Sequence, residues 1–170
     1  MTTTGQLLVP VLTCAAAWFA WSMLVGMLAN CLPQAALLRD NGLTRRHTWE
    51  QRHRYEQLLL IRSWKGRLPD AGQALPGGIG KSALVRREQR ALEQLMMETR
   101  RAELVHWALW PFWLVTSLWL PPLGVVLNMM FATLFNVPCL AVQRYNRLRL
   151  QNTLKRFMPG GEPTPCKPRS

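Results

Sequence analysis

The sequence predicts an all-α integral membrane protein, with about three transmembrane helices and a cytoplasmic helical segment between the first and second. Three observations predict it. No Asp, Glu, Lys or Arg occurs from Met1 to Leu38, and none from Leu104 to Gln143. All 21 basic residues lie between Arg39 and Arg101 or after Gln143. Each uncharged stretch is long enough to cross hydrocarbon, which takes about 20 apolar residues per helix. A bilayer produces this segregation, because charge at its centre is costly and basic residues collect in cytoplasmic loops.

At 170 residues the chain reads as a single membrane domain, 1–158, followed by a disordered basic tail, 159–170. The first span is expected at about 7–32. Trp18 and Trp21 lie within it, and Pro33 marks its end. No basic residue precedes it, so it lacks the start of a secretory signal peptide and reads as an uncleaved anchor.

Residues 33–103 form the cytoplasmic or interfacial segment. Gln34 to Arg46 is a polar connector with an Asn41-Gly42 turn signal. A helix is expected from Thr48, with Gln51 completing a capping box. It carries Tyr55 and the run Leu58-Leu59-Leu60-Ile61, and should fade near Gly66. Two readings stay open: an amphipathic helix lying on the bilayer, or a packed cytosolic helix. Trp64 to Gly80 reads as a loop from its Gly and Pro content. The GGIGKS run within it is not a phosphate-binding loop. Leu75 stands where the pattern needs Gly, and no strand precedes it.

From about Ser82 a further helix runs into the uncharged stretch. At roughly 100° per residue, Leu84, Ala91, Leu92, Leu95, Met96, Thr99 and Ala102 share one face. Arg86, Arg90, Glu93, Arg100 and Arg101 take the other. Glu98, Glu103 and His106 fall on or beside the apolar stripe, where ionisable groups are costly unless paired or used. Leu104 to Gln143 is 40 residues with one His and no formal charge. That length makes about two crossings, expected at 104–120 and 123–142, with Pro121-Pro122 turning the chain and Pro111 kinking the first arm. A re-entrant hairpin is the alternative. Asn128 and Asn136 put amides in the second arm, suited to hydrogen bonds between helices. Basic residues are absent before the first span and from the Pro-Pro turn. The long segment and the C-terminus therefore face the cytoplasm of a multi-pass protein in the cell (inner) membrane.

Several function classes fall away. The net charge of +12 flanks apolar spans and comes with no nucleic-acid motif, so lipid head groups are the expected partner. Cys14, Cys31, Cys139 and Cys166 form no CxxC pair and no disulfide framework. Glu103 and His106 make one Glu-x-x-His, but a di-iron site needs two, so no metal is expected. No Ser or Cys has the frame of a covalent nucleophile, and the His-x4-Asp acyltransferase pattern is absent. What remains is a polar set at membrane level: Glu98, Glu103 and His106, with Arg144, Tyr145, Asn146 and Arg147 after the last span. The hairpin returns the chain to the same side, so the two sets are expected to meet. An imidazole beside a carboxylate is a usable general base, and clustered arginines hold phosphate or an oxyanion. This suits acyl transfer from a charged carrier to a hydroxyl in the bilayer. The bland alternative is that these residues only mark the interface and pair structurally.

Three blocks, RSWKGRLPDAG, ETRRAELVHW and NVPCLAVQRYNRLRL, resemble in order and spacing the glycosyl-4,4'-diaponeurosporenoate acyltransferase family. The resemblance covers roughly Tyr55 to Leu150, with Leu148 standing where the family's block has Pro. It implies a small membrane-bound enzyme of the last step of staphyloxanthin-type carotenoid synthesis, esterifying a sugar hydroxyl of a carotenoid glycoside with a fatty acyl group. The matching positions are Trp64, Lys65 and Asp70; Glu98, Thr99, Arg101, Glu103, His106 and Trp107; and Asn136, Pro138, Gln143, Arg144, Tyr145, Asn146 and Arg147. On this reading His106 is the base, assisted by Glu103 or Glu98. Arg101, Arg144 and Arg147 hold the donor's phosphates or the oxyanion, and Tyr145, Asn146, Trp64 and Lys65 join them in binding substrate. No cofactor is expected beyond the acyl donor, acyl-CoA or an acyl-carrier protein. Expected partners are membrane lipid, the glycosylated carotenoid or a similar glycolipid, and other enzymes of the carotenoid pathway. The rivals are a non-catalytic membrane scaffold or lipid-binding protein, and an acyltransferase acting on a different glycolipid.

Overall fold

The computed structural model describes residues 3–39, 41–67 and 89–157, and the described residues contain helices and no strand. Helix α1 covers Thr3–Asn30, α2 Gln34–Leu38, α3 Arg52–Leu58 and α4 Ile61–Trp64, the last followed by a 3-10 turn at Lys65–Arg67. Helix α5 covers Gln89–Leu109, a second 3-10 turn Trp110–Phe112, α6 Trp113–Thr116 and α7 Pro122–Phe157. Asp70, the rest of the expected loop with its GGIGKS run, the expected helix start at Ser82 and the tail 159–170 lie outside the described residues.

Two helices are long and apolar enough to cross a membrane, over Leu8–Asn30 in α1 and Pro122–Leu154 in α7. Between them, the stretch expected to span at 104–120 is interrupted. Pro111 cannot donate to an α-helical ladder, and the kink expected there is the 3-10 turn, followed by one turn of helix. The chain then turns at residues 117–121, and Pro122 opens α7 at the first helical position, where its missing N–H is not needed. Helix α7 runs well beyond the expected end of its span, carrying the arginines after Gln143 on continuous helix.

The helix expected from Thr48 to near Gly66 is corrected in two places. Gln51 is extended, at φ −119° and ψ 141°, and α3 starts at Arg52 with no side-chain cap. The helix also breaks at Leu60, which adopts φ 45° and ψ 35° in the left-handed region. The break has a packing cause. Tyr55 and Ile61 are six residues apart, which on a continuous helix would place them about 120° apart around its axis. With the chain broken between them, both enter one core with Val142, Tyr145 and Leu148.

The chain divides into two compact units, one of residues 1–32 and 103–140, the other of 33–102 and 141–170. The first unit combines α1, the end of α5, α6 and the first part of α7. Phe112 sits between Trp18, edge-on at 5.0 Å, and Trp21, stacked at 5.2 Å. Polar side chains join the helices at several levels. Trp21 Nε1 donates to the Ala108 carbonyl at 3.2 Å, and Trp110 Nε1 to Thr133 Oγ1 at 3.2 Å. Trp18 Nε1 donates to Asn128 Oδ1 at 2.8 Å, while the Asn128 amide nitrogen donates to Thr116 Oγ1. The outward side chains of this unit are apolar and exposed, Phe19, Leu118, Leu123 and Leu134 among them.

The second unit holds α2 to α4, the first part of α5 and the last part of α7. Besides the Tyr55 core, it buries Leu92, Leu95 and Leu150, with Met96 and Leu154 packed against them. The expected turn at Asn41-Gly42 forms, closed by Asn41 N–H to Thr44 Oγ1 at 3.0 Å. The buried Arg100 donates to the Leu37 carbonyl at 2.8 Å and to that of Leu38, placing a cation on the C-terminal carbonyls of α2.

Candidate active site

In the first unit the site is built on His106. It lies on the last turns of α5, and Asn136 faces it from α7. His106 Nδ1 and Asn136 Oδ1 are 3.0 Å apart. Asn136 also donates its Nδ2 to the Ala132 carbonyl at 2.8 Å, which fixes the direction of its amide. Oδ1 is therefore the acceptor, and Nδ1 of His106 must carry the proton it accepts. The neutral ring then has its lone pair on Nε2. Glu103, fully buried, lies three residues earlier on the same helix, a spacing that shares a face. Trp107 Nε1 is a buried donor that meets no acceptor among the described residues.

In the second unit the expected residues form three groups. Arg101 and Glu98 pair at 2.6 Å along α5. Trp64, Lys65 and Tyr145 come together: Trp64 packs on the Tyr145 core, and Lys65 Nζ stands 4.7 Å over the Tyr145 ring. Arg149 approaches the same ring at 5.9 Å. The Tyr145 hydroxyl donates to Glu56 at 2.7 Å, and Arg52 reaches the same carboxylate oxygen at 2.8 Å. These contacts, the Tyr145 hydrogen bond before that of Arg52, hold the Glu56 carboxyl below its ordinary range. Asn146 is half-buried and Arg147 buried.

Arg144 forms the third group, and its partner Glu50 is a residue that sequence reasoning missed. Glu50 is 1% exposed. It accepts from Arg144, from the Tyr55 hydroxyl at 3.1 Å and from the His47 amide at 3.1 Å. Arg144 also donates to the Leu43 carbonyl at 2.6 Å. Burial pushes the Glu50 carboxyl up, but the His47 amide, the Arg144 charge and hydrogen bond, and the Tyr55 hydroxyl outweigh it. The net direction is down. The available signal was scarcity: with 21 basic residues and 9 acidic ones, a carboxylate inside an arginine-rich stretch is a sought-after partner. Among the described residues no cluster of three or more His, Cys, Asp or Glu is arranged to hold a metal ion.

Comparison with known proteins adds the chemistry. Residues 39–156 match the CrtO family, described as glycosyl-4,4'-diaponeurosporenoate acyltransferase. Proteins of that name in Staphylococcus aureus strains bovine RF122 / ET3-1 and USA300 are each 26% identical over 151 residues, 88% of this chain and 90% of theirs. The one in strain MRSA252 is 24% identical over the same length. No solved structure matches the chain.

Proposed function

The chain belongs to the glycosyl-4,4'-diaponeurosporenoate acyltransferase family and is an acyltransferase, and on that premise we propose that it works in a membrane, esterifying a sugar hydroxyl of a glycosylated carotenoid with a fatty acyl group. The observation that carries the chemistry is the His106–Asn136 bond. It leaves the Nε2 lone pair as the base. Nε2 takes the proton of the sugar hydroxyl as its oxygen attacks the thioester carbonyl of the donor, an acyl-CoA or acyl-carrier protein. The carbon–sulfur bond then breaks, and the proton passes from Nε2 to the leaving thiolate, so the imidazole ends as it began. The Trp107 N–H is a donor for a substrate oxygen, including the oxyanion that forms during attack. Glu103 favours the transient imidazolium from the same helix face.

The second unit carries its own cationic group, suited to an anionic ligand. Lys65 and Arg149 over Tyr145, together with Arg101, supply cations for phosphate, while Arg147 is buried within the unit. Arg144 is the framework of that surface, held by Glu50. The membrane reading rests on α1 and α7. Their length suits a crossing, and their exposed Leu, Val, Met and Phe side chains would be poorly placed in water. The basic residues of 33–102 and 144–157 support a cytoplasmic position for both segments. The interrupted stretch at 104–120 supports the re-entrant alternative over a third full span.

The test is direct. Purified protein is incubated with acyl-CoA and a glycosylated carotenoid, and products are read by mass spectrometry. The acyl ester of the sugar supports the proposal. No turnover with any donor and acceptor pair sinks it in favour of a scaffold. Turnover only with another glycolipid keeps the chemistry and replaces the acceptor.

A further inference from the structure

We propose that the turn at Leu58, Leu59 and Leu60 is a lipid-inserting knuckle that fixes the second unit on an anionic bilayer surface. The three leucines are consecutive and exposed, at 79%, 46% and 64%, while their neighbours Tyr55 and Ile61 are in the core. The left-handed conformation of Leu60 creates this exposure. A β-region or glycine turn would be the ordinary solution, so the sequence has kept a leucine where a leucine is conformationally strained.

Two further features match lipid as the occupant. Two of the carbonyls at the tip are satisfied from within the chain: Trp64 Nε1 donates to Leu59 O at 2.7 Å, and Ser63 Oγ to Leu60 O at 2.7 Å. A turn that enters hydrocarbon needs internal partners for its backbone acceptors, whereas a turn in water does not. The flanks are exposed and carry net positive charge: Arg52, Arg54 and Arg62 stand on either side of the leucines, against the single carboxylate of Glu56, which pairs with Arg52 at 2.8 Å and Arg62 at 3.8 Å. An apolar tip collared by arginines complements an anionic head-group layer over acyl chains.

The inference rests on the reading of α1 as a membrane span, and the experiment separates the two. Single cysteines replace Leu59, Phe19 of α1 and His53 of α3 in a chain whose four native cysteines are changed to alanine. Each variant is spin-labelled and placed in nanodiscs of equal parts phosphatidylcholine and phosphatidylglycerol. Collision rates with oxygen and with a water-soluble nickel chelate are then compared. The knuckle predicts that the label at 59 behaves like that at 19, with high oxygen and low nickel access. The label at 53 should favour nickel. A label at 59 open to nickel while that at 19 is lipid-protected overturns the knuckle alone. Low access to both reagents at 59 also overturns it, and points to cover by a second copy or another segment. Nickel access at both 19 and 59 overturns the membrane reading itself. Should Leu59→Cys fail to fold, Leu58→Cys gives the same readout.

Discussion

His106 Nδ1 and Asn136 Oδ1 lie 3.0 Å apart, so an amide on α7 selects the proton-bearing nitrogen of an imidazole on α5. Removing that selection should cost catalysis and leave binding. Asn136→Leu should lower kcat by about 10-fold or more with little change in KM, as for other orienting partners of working histidines. Groups acting as a unit are non-additive, so Asn136→Leu added to His106→Gln should cost almost nothing further. Steady-state kinetics of the two single variants and the double variant check this. Equal, multiplying losses would mean that the two residues act separately.

The Glu50 carboxylate should be the most sensitive single group for the stability of the second unit. Glu50→Ala leaves the Arg144 guanidinium and the Tyr55 hydroxyl around an empty acceptor. Breaking a buried pair in this way costs about 3–5 kcal/mol. Glu50→Gln should cost less, since its oxygen still accepts. The pH dependence follows from the lowered carboxyl. The native state holds Glu50 ionised more strongly than the unfolded chain does. Its contribution is therefore complete above the unfolded value and is lost as pH falls through the lower, folded one. Thermal unfolding in detergent should show wild type losing stability on acidification below about pH 4.3, the ordinary Glu value. Glu50→Gln should lose less over that range.

Leu60 should tolerate glycine and reject proline. Glycine enters the left-handed region without steric cost, whereas proline fixes φ near −65° and is incompatible with φ 45°. Leu60→Gly should fold with a Tm at or above wild type, because leucine pays about 1–2 kcal/mol for this conformation. Leu60→Pro should lose folded yield or fall several degrees. A tolerated proline would show that the turn differs from the one described.

Trp18 and Asn128 should be energetically coupled. Their 2.8 Å bond, continued to Thr116, joins α1, α6 and α7 in an apolar setting. A double-mutant cycle with Trp18→Phe and Asn128→Leu should give about 0.5–2 kcal/mol, the range for polar contacts between membrane helices. Unfolding in mixed micelles measures it, and a value near zero would place the amide's worth elsewhere.

The uncharged runs made the two long helices legible, because exclusion of charge over that length has few other causes. Pro111 and Pro121-Pro122 gave the interruption and the turn, though not that the first arm would shorten to 3-10 and one turn of helix. The capping box at Thr48 failed for a tertiary reason. Glu50 is drawn to Arg144 and Tyr55, and the backbone at Gln51 stays extended to let it reach. The break at Leu60 was invisible because Leu-Leu-Leu-Ile has good helix propensity and no glycine; only the shared core of Tyr55 and Ile61 demands it. His106 stood out as the only histidine in an uncharged stretch, but its partner did not. Asn136 and Asn128 look alike in sequence, and the fold gives one an imidazole and the other an indole and a threonine.

Acyl-ester formation by His106→Gln tests the central claim most directly. Wild type and variant are assayed in matched nanodiscs with acyl-CoA and the glycosylated carotenoid, with ester quantified by mass spectrometry and folding checked by thermal unfolding. Loss of a general base predicts a rate lower by about 10²–10⁴-fold at unchanged Tm. A folded His106→Gln enzyme making ester at the wild-type rate would contradict the account.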